Sequence, residues 1–389
     1  MDKYDVVIIG GGMIGLSMAI ELSNKTSFSI AVVDPNDCNP SISKNFHTRV
    51  SAITPASKNF LCSIDVWNEI ERKNRFVATK VWDQNSHGHL NFDSKDEGID
   101  YLGYIIENDL IQSSLYKAVE SSQVVMIHSS LEALNQSDLG YDARLDNDQT
   151  LTCRLLIGAD GPQSKVRSLA NIQVKEHDYH QKAIIANISS EKPLQHSTWQ
   201  RFLSDSILAF LPLTENQASI VWSCKNELAN KLENSDDQQF NKLLSDASEY
   251  QFGSLEVVSA KQSFPLISRS AQDYVLRGLA LIGDAAHNIH PLAGQGVNLG
   301  FSDVIELSNQ LQNQDQVELG DFLNLRKYAR ARRLDNELMS KTMTGLDWIY
   351  KENNEPIRWL RGYGMNLIDK NPALKSFFQR QALGNRKKR

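Results

Sequence analysis

The chain lacks any long hydrophobic run. Nothing in its 389 residues approaches the roughly 18–20 consecutive apolar positions of a membrane-spanning helix, and the N-terminus opens directly into a strand-like segment. Cysteine is scarce. Cys38, Cys62, Cys153 and Cys224 are scattered without C-x-x-C spacing, which argues against a zinc centre or a disulfide framework and suits a reduced cytoplasm. No long repeat or low-complexity tract is present. No Ser-His-Asp arrangement emerges, and His287 and His290, three apart, have no acidic or thiol partner spaced to complete a metal site. The metal expectation is therefore none.

The length exceeds one typical domain and allows at least one large core, and 41% hydrophobic residues is ordinary for a soluble globular protein. Three glycine-bearing turns stand out. In the first, the apolar run Asp5–Ile9 enters Gly10-Gly11-Gly12-Met13-Ile14-Gly15 and then a helical pattern. Gly10, Gly12 and Gly15 fit G-x-G-x-x-G: a tight turn, close approach to a pyrophosphate, and close helix–strand packing. A second apolar run ends at Asp34, nineteen residues after Gly15, where a carboxylate can accept from both hydroxyls of an adenosine ribose. An ordinary structural glycine turn is the alternative reading.

In the second turn, Leu155–Ala159 runs into Asp160-Gly161, with Ser164 placed to cap the next helix. In the third, Leu279–Ile282 ends at Gly283-Asp284, followed by Gly294, Gly296 and Gly300. A strand, a glycine-rich turn and one fixed acid suit a nucleotide with ribityl hydroxyls and a flat ring that the backbone must approach closely. Taken together, the three turns point to FAD.

That order of motifs resembles the class A flavoprotein monooxygenases. His290–Gly300 is similar to the signature of the ubiquinone-biosynthesis hydroxylase family within them. Further pieces match along nearly the whole chain, among them Trp199–Leu203, Leu211–Leu213, Val221–Ser223, Phe264–Leu266, Asp335-Asn336 and Gly362–Gly364. One departure is Asp205-Ser206-Ile207, where the family usually carries Gly-Pro.

The resemblance implies an α/β fold: a Rossmann-like FAD-binding domain of the glutathione-reductase type, an inserted mostly β substrate domain and a C-terminal helical region. Because three separate segments carry the motifs, the FAD domain is expected to be discontinuous, over 1–75, 101–180 and 266–345. Residues 76–100, read as a hairpin, and 181–265, read as strands with a helix-favouring stretch at Glu227–Tyr250, form the expected substrate domain, and 346–389 the tail.

The implied reaction is hydroxylation of the aromatic ring of a prenylated phenol or quinone precursor in ubiquinone biosynthesis. NAD(P)H reduces the flavin, O2 adds at its C4a, and the hydroperoxide passes OH to the ring. With one dinucleotide fingerprint, NAD(P)H is expected to bind transiently. Gly10, Gly12, Gly15 and Asp34 would bind the ADP half, and Asp160 and Gly161 both nucleotides. Gly283 and Asp284 would meet the ribityl or pyrophosphate region, and Pro291, Gly294, Gly296, Val297 and Asn298 the isoalloxazine. Arg49 resembles the family arginine that reaches the FAD pyrophosphate and flavin face; a surface loop arginine is the alternative. Trp199, Phe202, Phe210, Leu211 and Trp222 are candidate pocket walls or, as strand aromatics and apolars, plain core. Competing functions are hydroxylation of another phenolic metabolite, reduction of polyprenyl chains, and a non-catalytic flavin-binding scaffold.

Charge is uneven. Residues 350–389 carry ten Lys or Arg against three acids, a local +7 beside a whole-chain −6, which leaves −13 on residues 1–349. Trp359, Leu360, Leu367, Leu374, Phe377 and Phe378 interleave with these cations. Such a segment can lie on an anionic membrane, dock an acidic partner in a quinone-biosynthesis complex, or cap the FAD domain. The resemblance favours a cytoplasmic protein peripheral to the inner membrane surface, since the implied substrates are very insoluble. The C-terminal helices are also candidate contact surfaces for a homo-oligomer. Nucleic acid is excluded by the acidic remainder and the lack of a recognition module.

Overall fold

The computed structural model describes residues 2–84, 86, 88–288, 296–315, 318–351 and 355–383. β1 (Asp2–Ile9), α1 (Met13–Lys25) and β2 (Ile30–Val33) form the opening βαβ unit. β3 (Val50–Ile53) leads into α2 (Pro55–Ser63), whose first turn is capped by Thr54. β4 (Asn74–Phe76), the hairpin β5 (Ala78–Asp83) and β6 (His89–Asp93), β7 (Gly103–Glu107) and α3 (Asn108–Glu120) follow. Then come β8 (Val125–Ile127), β9 (Leu131–Gln136), β10 (Tyr141–Leu145), β11 (Thr150–Gly158) and α4 (Lys165–Leu169). The middle of the chain is β12 (Val174–Ser190), β13 (Ser197–Phe202), β14 (Ser206–Pro212) and β15 (Gln217–Lys225), with α5 (Asn226–Asn234) and α6 (Asp237–Ala247). β16 (Leu255–Val257), β17 (Gln262–Ala271), β18 (Val275–Leu276), β19 (Leu279–Leu281) and β20 (His287–Asn288) precede the helices α7 (Gly296–Leu311), α8 (Phe322–Lys351), α9 (Glu355–Lys370) and α10 (Pro372–Ala382).

One sheet is built on a parallel core in the order β19-β11-β1-β2-β8. Its strands are near-continuous apolar runs, and β1 is fully buried from Val6 to Ile9 instead of alternating, as expected of a parallel sheet covered on both faces. Gly10, at φ +111°, and Gly15 seat α1 against this sheet. A Cβ on Gly10 would lie 2.4 Å from the Ala159 carbonyl oxygen, and one on Gly15 would lie 1.9 Å from the Gly10 carbonyl oxygen. Only glycine fits either place.

A second, largely antiparallel sheet runs β20-β17-β12-β15-β14-β13-β5-β6. α5 and α6 cover one face and close a core of Phe210, Ile220, Trp222, Phe240 and Phe252. The hairpin and the helical stretch therefore lie where the sequence suggests. β12 is longer than expected: it starts at Val174 and continues past 180 through a register shift between Asp178 and Lys182, with His180 at φ +53°. The bulge separates a stretch of β12 paired with β17 alone from one paired with both β17 and β15. β17 likewise runs unbroken across 265/266.

Candidate active site

The parallel order places the end of β2, the glycine turn after β1, the Asp160-Gly161 turn after β11 and the Gly283-Asp284 turn after β19 side by side. Motifs more than a hundred residues apart thus share one edge, the carboxyl ends of the strands, where open α/β sheets bind ligands. At this edge Asp34 Oδ2 accepts the Gly11 N–H at 2.7 Å and Oδ1 accepts the Asn36 N–H at 2.9 Å. Gly12 caps α1 without any side-chain hydrogen bond, leaving that helix's first N–H groups to a ligand.

The glycines divide into those with open space where a Cβ would stand and those pressed against neighbours. A Cβ on Gly12, Gly161 or Gly296 would meet nothing within 4 Å, whereas Gly300 and Gly283 press on Ile14. Asp160 Oδ2 caps α4 by accepting the N–H groups of Lys165 and Val166, while its buried Oδ1 has no partner. An anchored acid, uncapped helix donors, an orphan acceptor and this cradle fit a dinucleotide such as FAD. Sequence reading missed Arg167, which is buried and donates to the carbonyls of Ala285 and Pro162, tying the second turn to the third.

Burial pushes the Asp284 carboxyl above its usual range, against the opposing pull of His287, Asn288 and Arg49. Arg49 is exposed and lies 5.1 Å over the Phe264 ring, and its positive charge acts to lower the Asp284 carboxyl. Gly296, Val297 and Asn298 form the first turn of α7; Pro291 and Gly294 lie outside the described residues. Asn298 fixes this turn to β3: its Oδ1 accepts the Thr54 N–H at 3.1 Å, and its Nδ2 donates to the Ala52 carbonyl at 2.8 Å. Burial pushes the Cys38, Cys153 and Cys224 thiols up to about 12, so none supplies a thiolate.

Beside Ala52–Thr54 opens a cavity of about 230 Å³, lined mainly by apolar side chains such as Phe76, Val81, Leu102, Leu211 and Leu383. Leu211 thus sits in the wall. Trp199 borders the cavity, but its ring packs edge-on against Trp82 and Phe252 on the other side of the sheet. Phe210 and Trp222 are corrections: both belong to the core under α5 and α6, because neighbours along a strand face opposite ways. The Trp222 indole donates to Ser206 Oγ, in the segment where the family's Gly-Pro is replaced. Phe202 is buried at the end of β13 and does not line the cavity. The alternation of 206–212 was the available signal for separating Leu211 from Phe210. Nothing local marked Leu383, which arrives from the end of α10.

A family model described as an FAD binding domain matches residues 3–333. The 3-demethoxyubiquinol 3-hydroxylase of Escherichia coli (strain K12) is 33% identical over 390 residues, covering 98% of each chain. The chain belongs to the ubiquinone-biosynthesis hydroxylases, within the FAD-dependent monooxygenases. The human mitochondrial ubiquinone biosynthesis monooxygenase COQ6 is 32% identical, over 96% of this chain and 91% of its own length. Among solved structures, p-nitrophenol 4-monooxygenase PnpA of Pseudomonas putida DLL-E4 superposes with a TM-score of 0.79 at 16% identity, covering all of both chains. Pseudomonas aeruginosa PqsL in complex with 2-aminobenzoylacetate superposes at 0.76 and 20% identity, covering 94% of this chain and 99% of that one. These two likenesses establish the fold alone.

Proposed function

We propose that this protein hydroxylates the aromatic ring of a prenylated phenol in ubiquinone biosynthesis, with FAD resident and NAD(P)H and O2 as co-substrates. The observation that carries the reading is the apolar cavity opening at Ala52–Thr54, the segment Asn298 ties to α7. An apolar wall accepts a prenyl chain and excludes water from the reacting ring. Bound FAD supplies the redox chemistry with nicotinamide and O2.

The chain's own groups position and polarise. Asp34 and the uncapped start of α1 hold the ADP half, assisted by Gly10, Gly12 and Gly15. Asp284 faces the ribityl region. The N–H groups at 296–298, in the first turn of α7, lie at the positive end of that helix dipole, which favours negative charge on the ring system. Asp160, with its free Oδ1, and Gly161 serve the nucleotide edge, and Arg49 the pyrophosphate side. Segments 1–75, 101–180 and 266–345 are assigned to cofactor binding and 76–100 with 181–265 to substrate, Leu211 being the wall residue and Trp199 only bordering the cavity.

The C-terminal region is assigned to a membrane surface, which places a cytoplasmic protein peripherally at the inner membrane. Its support is the local charge of +7 over 350–389 and the exposed Leu367, Leu374, Phe377 and Phe378 on α9 and α10. Leu383, close behind Phe377 and Phe378 in sequence, lines the cavity. Among the described residues no helix is long and apolar enough to cross a membrane.

Mass spectrometry of quinone-pathway lipids from a strain lacking the gene, with and without complementation, tests the reading. Accumulation of a prenylated phenol short of one oxygen, reversed on complementation, is expected. An unchanged lipid profile overturns the pathway assignment.

A further inference from the structure

The turn Gly283–His287 carries Asp284, yet its shape is set from elsewhere. Gly283 sits at φ +59°, a conformation that glycine adopts freely and other residues rarely do, and its N–H is held from outside the turn. Asp303, about two turns into α7, provides that hold. Its side chain is fully buried. Its Oδ2 accepts the Gly283 N–H at 2.9 Å and meets His287 Nε2 at 2.6 Å, so one oxygen grips both ends of the turn. Its Oδ1 accepts from Arg332 Nε of α8 at 2.6 Å. Arg332 in turn donates to the Leu299 carbonyl and to Asn336 Oδ1. The Tyr274 ring stacks on His287 with centroids 5.8 Å apart. Burial alone would raise the Asp303 carboxyl; the charges of His287 and Arg332 and their hydrogen bonds outweigh it and hold it below the usual carboxylate range.

A buried carboxylate held between a guanidinium and an imidazole is not needed to fill a core, since a well-packed apolar group would do that at least as well. What it adds is direction: each bond is charge-assisted and short, and each fixes a different element. The geometry points to Asp303 as the positioning residue for Asp284, clamping Gly283 and His287 so that the turn keeps the shape FAD requires. This rests on the reading of Gly283–His287 as a cofactor turn.

The test uses the full-length chain and three variants: Asp303→Asn, His287→Leu and, as a control, Tyr328→Phe. Tyr328 Oη donates to the Leu281 carbonyl at 2.7 Å in the same buried neighbourhood without touching either end of the turn. FAD dissociation constants come from fluorescence titration of apoprotein, and Tm is measured with and without FAD. Asp303→Asn and His287→Leu should each weaken FAD by about tenfold or more, as expected for losing a charge-assisted hydrogen bond. Both should lose much of the FAD-dependent rise in Tm. Tyr328→Phe should lower the two Tm values together and keep FAD affinity within about twofold. If either turn variant keeps affinity within about twofold of the parent chain, the proposal is overturned. Should Asp303→Asn fail to fold, His287→Leu decides by the same criterion. Failure of the parent chain to bind FAD would overturn the reading of the turn itself.

Discussion

Thr54 and Asn298, 244 residues apart, are joined by a 3.1 Å hydrogen bond from the Thr54 N–H to Asn298 Oδ1. With the second bond from Asn298 Nδ2 to the Ala52 carbonyl, one amide satisfies a donor and an acceptor on the strand that borders the cavity. Asn298→Leu strands both backbone groups. The expected cost is about 1–3 kcal/mol, read by denaturant unfolding, together with weaker FAD retention on dialysis. A variant as stable as the parent, with FAD fully retained, would show the tie to be incidental.

Asp34 accepts the Gly11 N–H and is the acid proposed to hold the ADP half of FAD. Asp34→Asn keeps the shape but gives up the charge that strengthens both contacts. FAD affinity by titration calorimetry should fall by about tenfold or more. The thermal stability of the apoprotein should change much less than that of the holoprotein.

Asp284 has a direct pH consequence. Its folded-state pKa is raised, chiefly by burial, so the native state binds the proton more tightly than the unfolded chain. Stability of the apoprotein should therefore fall as pH rises from the ordinary carboxylate range through the raised value, then level off. Asp284→Asn should remove this slope and gain on the order of 1 kcal/mol at neutral pH, while weakening FAD. Apoprotein Tm recorded from pH 4 to 8 checks the slope, and an identical profile for the variant would contradict the assignment.

Adjacent residues of β14 should behave oppositely. Leu211 lines the cavity, so Leu211→Trp should fill it, raise KM for a long-chain phenol severalfold and cost little stability. Phe210 is completely buried under α6, so Phe210→Ala should destabilise by about 3–5 kcal/mol. Steady-state kinetics beside urea unfolding separates the two effects. Equal KM changes for both would reject the division of faces.

The exposed pair Phe377 and Phe378 makes the membrane assignment measurable. The full chain should co-sediment with vesicles containing anionic phospholipid and much less with neutral ones. Phe377→Ser combined with Phe378→Ser should release most of it, leaving turnover of a short, water-soluble phenol unaltered. Vesicle binding indifferent to both lipid charge and these substitutions would count against this surface.

Local chemistry made much of the cofactor edge legible. Gly10 and Gly15 are required by close packing, Asp34 by its place after an apolar strand, and Ser164 by the cap it gives α4. Each is a property of a few neighbouring residues, and such signals survive without a fold. The substrate side was less legible because strand apolar residues look alike whichever face they take. Phe210 and Leu211 differ by one position, and only the pairing of β14 with β13 and β15, together with the helices on one face, separates core from cavity.

By itself, the sequence determined the glycine turns, the acid at the end of β2, the hairpin near the start of the second sheet and the basic tail, because these depend on backbone conformation and charge. The tertiary structure alone decided the rest. It brought four strand ends to one edge through a parallel sheet order, closed a cavity with Leu383 from the last described helical segment, and set Asp303 against Gly283 and His287. Those relations join residues tens to hundreds of positions apart, and hydrophobic burial and hydrogen-bond satisfaction fix them only when the whole chain is folded.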